Sequence, residues 1–145
     1  VFEMEHNPWD SGRLRDCLQY MLNRAQIAKA GLVPPVTPLV RVPVNGIEMN
    51  VLLAGAGEPV LLVHGFPDDH TVWREQVQAL VTAGYRVIAP DTRGCGDSGI
   101  PGRVADYRVE MLVDDLRALL DALGIDKVRL VAHDNAGIAL LVYVI

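Results

Sequence analysis

Short runs dominated by apolar residues, at 60–63, 86–89 and 128–132, alternate along the chain with segments whose apolar residues recur at helical spacing. Such runs are too short for helices and too uniformly apolar for strands with one wet face. They read as strands buried on both sides of a parallel sheet, with the intervening helices as cover. The first cover helix is expected over 71–83, with Trp73, Val77, Leu80 and Val81 on one face. The second is expected over 107–123, with the stripe Leu112, Leu116, Leu119, Leu120 and Leu123 and a stop at Gly124. After the last run a polar interruption, His133-Asp134-Asn135, precedes residues 136–145, which are apolar on all sides and read as a helix buried behind the sheet.

The alternation is preceded by a different pattern. Residues 40–44 and 49–54 flank Asn45-Gly46, a two-residue type I′ turn signal, and predict an antiparallel hairpin. The expected architecture is therefore an α/β domain: a mainly parallel sheet of five strands led by an antiparallel hairpin. Upstream, Leu14, Leu18, Met21, Leu22, Ala25 and Ala28 mark an amphipathic helix over 10–30, closed by Gly31. Pro34, Pro35, Pro38 and Pro43 forbid helix beyond it and imply an extended connector. The chain thus divides into a helix and connector at 1–37 and a core at 38–145.

Composition narrows the partners. In 145 residues, 13 Lys and Arg against 18 Asp and Glu leave a net charge of −5, with no basic cluster to hold a phosphate backbone, so no nucleic acid is expected. The charge-free stretches 30–40 and 135–145 are too short to span a bilayer, so no membrane is expected either. Cys17 and Cys95 form neither a metal pattern nor a disulfide framework, and the acidic start carries no apolar signal segment. A cytoplasmic protein without metal or cofactor is the expectation.

Two loops carry the chemistry. In Ala132-His133-Asp134-Asn135-Ala136, small residues stand two places before and after a central side chain, as a sharp strand-to-helix turn requires when it holds that side chain exposed and strained. Asp134 is then the nucleophile; the plain alternative is an Asp that caps the next helix. His64-Gly65-Phe66-Pro67 follows the run 60–63, where Gly65 permits a tight turn and Pro67 fixes the exit, a cis Phe66–Pro67 bond being one way to do so. His64 reads as a buried histidine satisfied by backbone. The loop 91–98, Asp-Thr-Arg-Gly-Cys-Gly-Asp-Ser, reads as a hydrogen-bonded turn that marks the fold.

On these residues, together with Trp73-Arg74, the chain resembles the epoxide-hydrolase branch of the α/β-hydrolase superfamily over about 38–145. The resemblance implies an oxyanion hole from the N–H groups of Phe66 and Asn135. It also implies attack by Asp134 on a saturated carbon, because a carboxylate attacking an ester carbonyl would only form an anhydride. A small apolar electrophile such as an epoxide would give an ester of Asp134 that water then hydrolyses. Haloalkane dehalogenases of the same fold carry a tryptophan directly after the nucleophile and a different polar residue at the Phe66 position. Asn135 and Phe66 therefore favour the epoxide over the haloalkane or haloacid reading.

The triad of this fold runs nucleophile, acid, histidine in chain order. Residues 135–145 contain no Asp, Glu or His, and His6, His64, His70 and His133 all precede Asp134. The sequence thus corresponds to the N-terminal half of such a hydrolase, truncated before its base and lid, with a remaining half or another subunit as the expected partner. The alternative of another class is a catalytically silent binding or assembly domain.

Overall fold

The computed structural model describes residues 39–134 and 136–137. The helix and connector expected over 1–37, the residues 138–145 of the terminal helix, and Asn135 lie outside the described residues. The chain opens with the strands β1 (Leu39–Val44) and β2 (Ile47–Gly55), paired antiparallel with Val44 opposite Ile47. Asn45 and Gly46, with φ of 41° and 80°, make the left-handed pair that a type I′ turn needs.

Three further strands follow: β3 (Pro59–Val63), β4 (Arg86–Pro90) and β5 (Arg129–Ala132). The sheet order is β1-β2-β4-β3-β5. β3 runs parallel to both β4 and β5, and β2 runs against both of its neighbours. The expected leading hairpin and parallel strands are both present, and the sheet is mixed only through β2.

The covering helices start slightly later than their periodicity suggests. A 3-10 turn at His70–Trp73 precedes α1 (Arg74–Thr82), and another at Val104–Tyr107 precedes α2 (Val109–Ala122). Apolar side chains alternate across the sheet and are buried on both faces. Leu61, Val63 and Ile88 join Val42, Val44, Met49, Val51 and Leu53 beneath Val113, Leu116 and Leu119 of α2. Val60, Leu62, Val87 and Ala89 face the other way, against Trp73 and Val77. This two-sided burial is why the strand runs show no polar alternation.

Leu112 and Leu120, expected in the α2 stripe, are only partly buried, while Asp115 on the same helix is fully buried. Its carboxylate is gripped by Arg93, with Nε to Oδ2 at 2.8 Å and Nη2 to Oδ1 at 2.6 Å, and it also accepts from Asn45 Nδ2 at 2.9 Å. The Asp115 hydrogen bonds raise the Arg93 pKa above its already high ordinary value, against the opposing effect of burial. One ion pair thereby joins α2, the loop after β4 and the hairpin turn. Among the described residues no helix is long and apolar enough to cross a membrane.

Replacing Arg93 by Leu would leave Asp115 as an unpaired buried charge, and we expect a loss of about 3–5 kcal/mol of folding stability. Urea denaturation of Arg93→Leu checks this, and a loss below about 1 kcal/mol would show that the pair is dispensable.

Candidate active site

Because β4, β3 and β5 point the same way, the loops that follow them meet at one end of the sheet. Val63 lies opposite Ala132, so the residues after them, from His64 and from His133, emerge side by side. Asp134 stands at the turn with a φ of 57°, in the left-handed region that non-glycine residues occupy at a cost. Ala136 beyond it is buried, and the Gly137 N–H donates back to the His133 carbonyl at 3.3 Å.

Gly65 explains how the two loops come so close. A Cβ built on Gly65 would lie 2.6 Å from the Asp134 Cβ and 2.7 Å from its Oδ2. The backbone of the first loop is thus pressed against the Asp134 carboxyl, which no larger residue permits. The Phe66–Pro67 bond that follows is cis, and the Asp68 N–H closes the turn onto the Gly65 carbonyl at 3.0 Å.

His64 is buried and has both ring nitrogens engaged. The Thr92 N–H donates to Nε2 at 2.9 Å, so the ring proton sits on Nδ1, 2.7 Å from the Gly65 carbonyl. In that tautomer the one remaining lone pair, on Nε2, is taken by the Thr92 N–H and is not free to abstract a proton. His64 therefore joins the loops after β3 and β4, as expected of a histidine satisfied by backbone.

The loop after β4 is organised by Asp91, which is fully buried. Its Oδ1 accepts from the His70 N–H at 2.8 Å and faces His70 Nδ1 at 2.7 Å. Its Oδ2 accepts from Asn50 Nδ2 at 2.9 Å and from the Asp97 N–H at 3.0 Å. Burial pushes the Asp91 pKa up, but the hydrogen bonds from Asn50, His70 and Asp97 outweigh it and hold the carboxyl below the ordinary 3.8. Gly96 packs so closely on this carboxylate that any side chain there would collide with it. Ligand atoms of Asp69, His70 and Asp91 lie within 4.8 Å of one another, yet both Asp91 oxygens are already filled by these donors. The arrangement is that of a structural carboxylate.

Next to Asp134, the His133 ring stands edge-on to Trp73, with centroids 5.3 Å apart, and its Nε2 is 4.0 Å from Asp68 Oδ2. The Trp73 indole N–H is buried without a hydrogen-bond partner among the described residues. Asp69 caps the turn that carries Trp73; hydrogen bonds from the Thr71 hydroxyl and N–H lower its pKa. The structure thus brings together Gly65, His133, Asp134, Asp68 and Trp73, and sets His64 behind them. The Asp68–His133 and His70–Asp91 contacts were not anticipated from sequence. A polar cluster directly after Pro67 was their only signal.

Four comparisons bear on this geometry. Residues 58–145 match the model of the α/β-hydrolase fold family. The chain belongs to the α/β-hydrolase family. It is 50% identical over 90 residues to an epoxide hydrolase 2 of Siraitia grosvenorii, a match covering 62% of this chain and 28% of that one. The bifunctional epoxide hydrolase 2 of Mus musculus is 40% identical over 93 residues, 64% of this chain and 17% of its own. Among solved structures, an epoxide hydrolase from Vigna radiata superposes with a TM-score of 0.69 at 46% identity, covering 71% of this chain and 34% of that one. The chain therefore spans about a third or less of the length of these relatives.

Two outcomes follow from the geometry. Gly65→Ala should cost about 1–3 kcal/mol, since the loop must retreat from Asp134, and wild-type stability in urea would show that the loops are not held together. The Asp91 pKa is lowered in the folded state, so its carboxylate contributes stability that is fully present above the ordinary carboxylate value and lost as pH falls from there through the lower folded value. Stability should therefore fall more between about pH 5 and pH 2 in wild type than in Asp91→Asn.

Proposed function

We propose that the chain is the nucleophile-bearing part of an epoxide hydrolase acting on small apolar epoxides. The observation that carries this reading is an aspartate, not a serine, held at a left-handed φ of 57° where the loops after β3 and β5 meet. A carboxylate there can attack a ring carbon of an epoxide. The Asp134 oxygen forms the new C–O bond, the ring C–O bond breaks, and its electron pair goes to the departing oxygen, which takes up a proton. The product is an ester of Asp134.

Water then adds to the ester carbonyl, whose oxygen gains charge. In our reading the N–H groups of Phe66 and Asn135 face that oxygen. Support for Phe66 comes from the glycine before it, whose backbone lies against the Asp134 carboxyl. Collapse of the adduct releases the diol and restores the carboxylate. The base that takes the water proton cannot be His64, whose nitrogens are both engaged. We place the base, its acidic partner and the acid for ring opening in polypeptide outside the span shared with the relatives, in the same chain or in a second subunit. The names of those relatives, all of them epoxide hydrolases, support the same chemistry.

Incubation with styrene oxide followed by intact-mass analysis tests the proposal. We expect a gain of one epoxide mass, mapped by peptide fragmentation to Asp134, and none in Asp134→Asn. No adduct in wild type would favour a silent binding domain, and halide release from a chloroalkane with no epoxide adduct would favour a dehalogenase.

A further inference from the structure

The loops that meet at Asp134 are unbalanced in charge. Residues 64–73 and 133–134 contain Asp68, Asp69 and Asp134 and no Lys or Arg; the next residue, Arg74, opens α1 on its exposed side. Asp68 is placed to act on whatever approaches Asp134. Its N–H is bonded to the carbonyl of Gly65, the residue whose backbone lies against the Asp134 carboxyl. Its carboxylate reaches His133, directly before Asp134, at 4.0 Å, longer than a hydrogen bond. The side chain remains 44% exposed, so its charge faces the approach as well as the histidine. Asp69 beside it is held ionised by its hydrogen bonds from Thr71.

We propose that Asp68 is a specificity-determining residue that makes this site reject anionic electrophiles and accept neutral or cationic ones. The inference rests on the reading of Asp134 as nucleophile and adds to it a substrate class. A second carboxylate, tied to the attacking one through Gly65 and His133, raises the energy of an anion bound between them and lowers that of a bound cation. Carboxylate-bearing epoxides and haloacids are disfavoured on the same ground.

Three probes with one reactive ring and different charge test this: glycidate, glycidol and glycidyltrimethylammonium. Ester formation on Asp134 is followed by mass in the 145-residue chain, each rate divided by that of free acetate with the same probe to remove intrinsic reactivity. We expect the normalised rate to rise from glycidate to glycidol to the ammonium probe, by about fivefold or more from first to last, with the spread shrinking at high salt. Asp68→Asn should cut that spread by about half, and Asp68→Lys should favour glycidate. Equal normalised rates, or a spread unmoved by both substitutions, would overturn the role of Asp68 while leaving Asp134 a nucleophile. No ester with any probe would remove the nucleophile itself, and this inference with it.

Discussion

The site hangs on a single buried carboxylate. Asp91 is out of solvent, and an ion so placed is tolerated only when its oxygens are filled with donors. The donors that fill it come from three separate places: the side chain of Asn50 on β2, the backbone and ring of His70 at the start of the Trp73 turn, and the backbone of Asp97 in its own loop. The Asp91 backbone joins in, its carbonyl accepting from Ser98 Oγ and its N–H donating to Asn50 O. Each segment is thereby fixed relative to the ends of the strands. His70 fixes the turn, the turn sets Trp73 under the sheet, and Trp73 supports His133 beside Asp134.

Asp134 itself is the complementary case, a residue held where its own preference would not put it. A left-handed conformation costs a non-glycine residue on the order of 1–2 kcal/mol, less for Asp than for most. Such a conformation persists only when the surroundings over-determine it. Here they do so by size: the absent side chain of Gly65 lets one loop press on the carboxyl, and the small Ala136 buries behind it. Rigid strands and tight loops carry the strain, and Asp134 stays exposed with its carboxyl against Gly65.

Charge is distributed unevenly between the interior and the site. Arg93, the one cation of residues 91–98, is turned inward to neutralise Asp115. Asp68, by contrast, keeps an open carboxylate beside His133. The fold therefore uses Arg93 to join α2 to the hairpin turn, while Asp68 keeps a partly exposed carboxylate next to the histidine that precedes Asp134.

Much of this was legible before any coordinates. Strand runs, helix stripes, the Asn45-Gly46 turn and the small residues around Asp134 are local patterns, set by the side-chain period and by the conformations that nearby residues permit. They located the sheet, the covering helices and the turn that bears Asp134. What sequence could not show was which distant polar groups would meet. The periodicity of the helix gave Asp115 no role, and Asp91 read only as part of a hydrogen-bonded turn. For His70 the only signal was its place in the polar cluster after Pro67. Their roles depend on pairs 70, 22 and 21 residues apart, Asn45 with Asp115, Arg93 with Asp115 and His70 with Asp91, brought together only when parallel strands deliver their loops to one end of the sheet. Periodicity thus determined the layers, and tertiary structure decided the electrostatics, because a charge is priced by whatever surrounds it after folding.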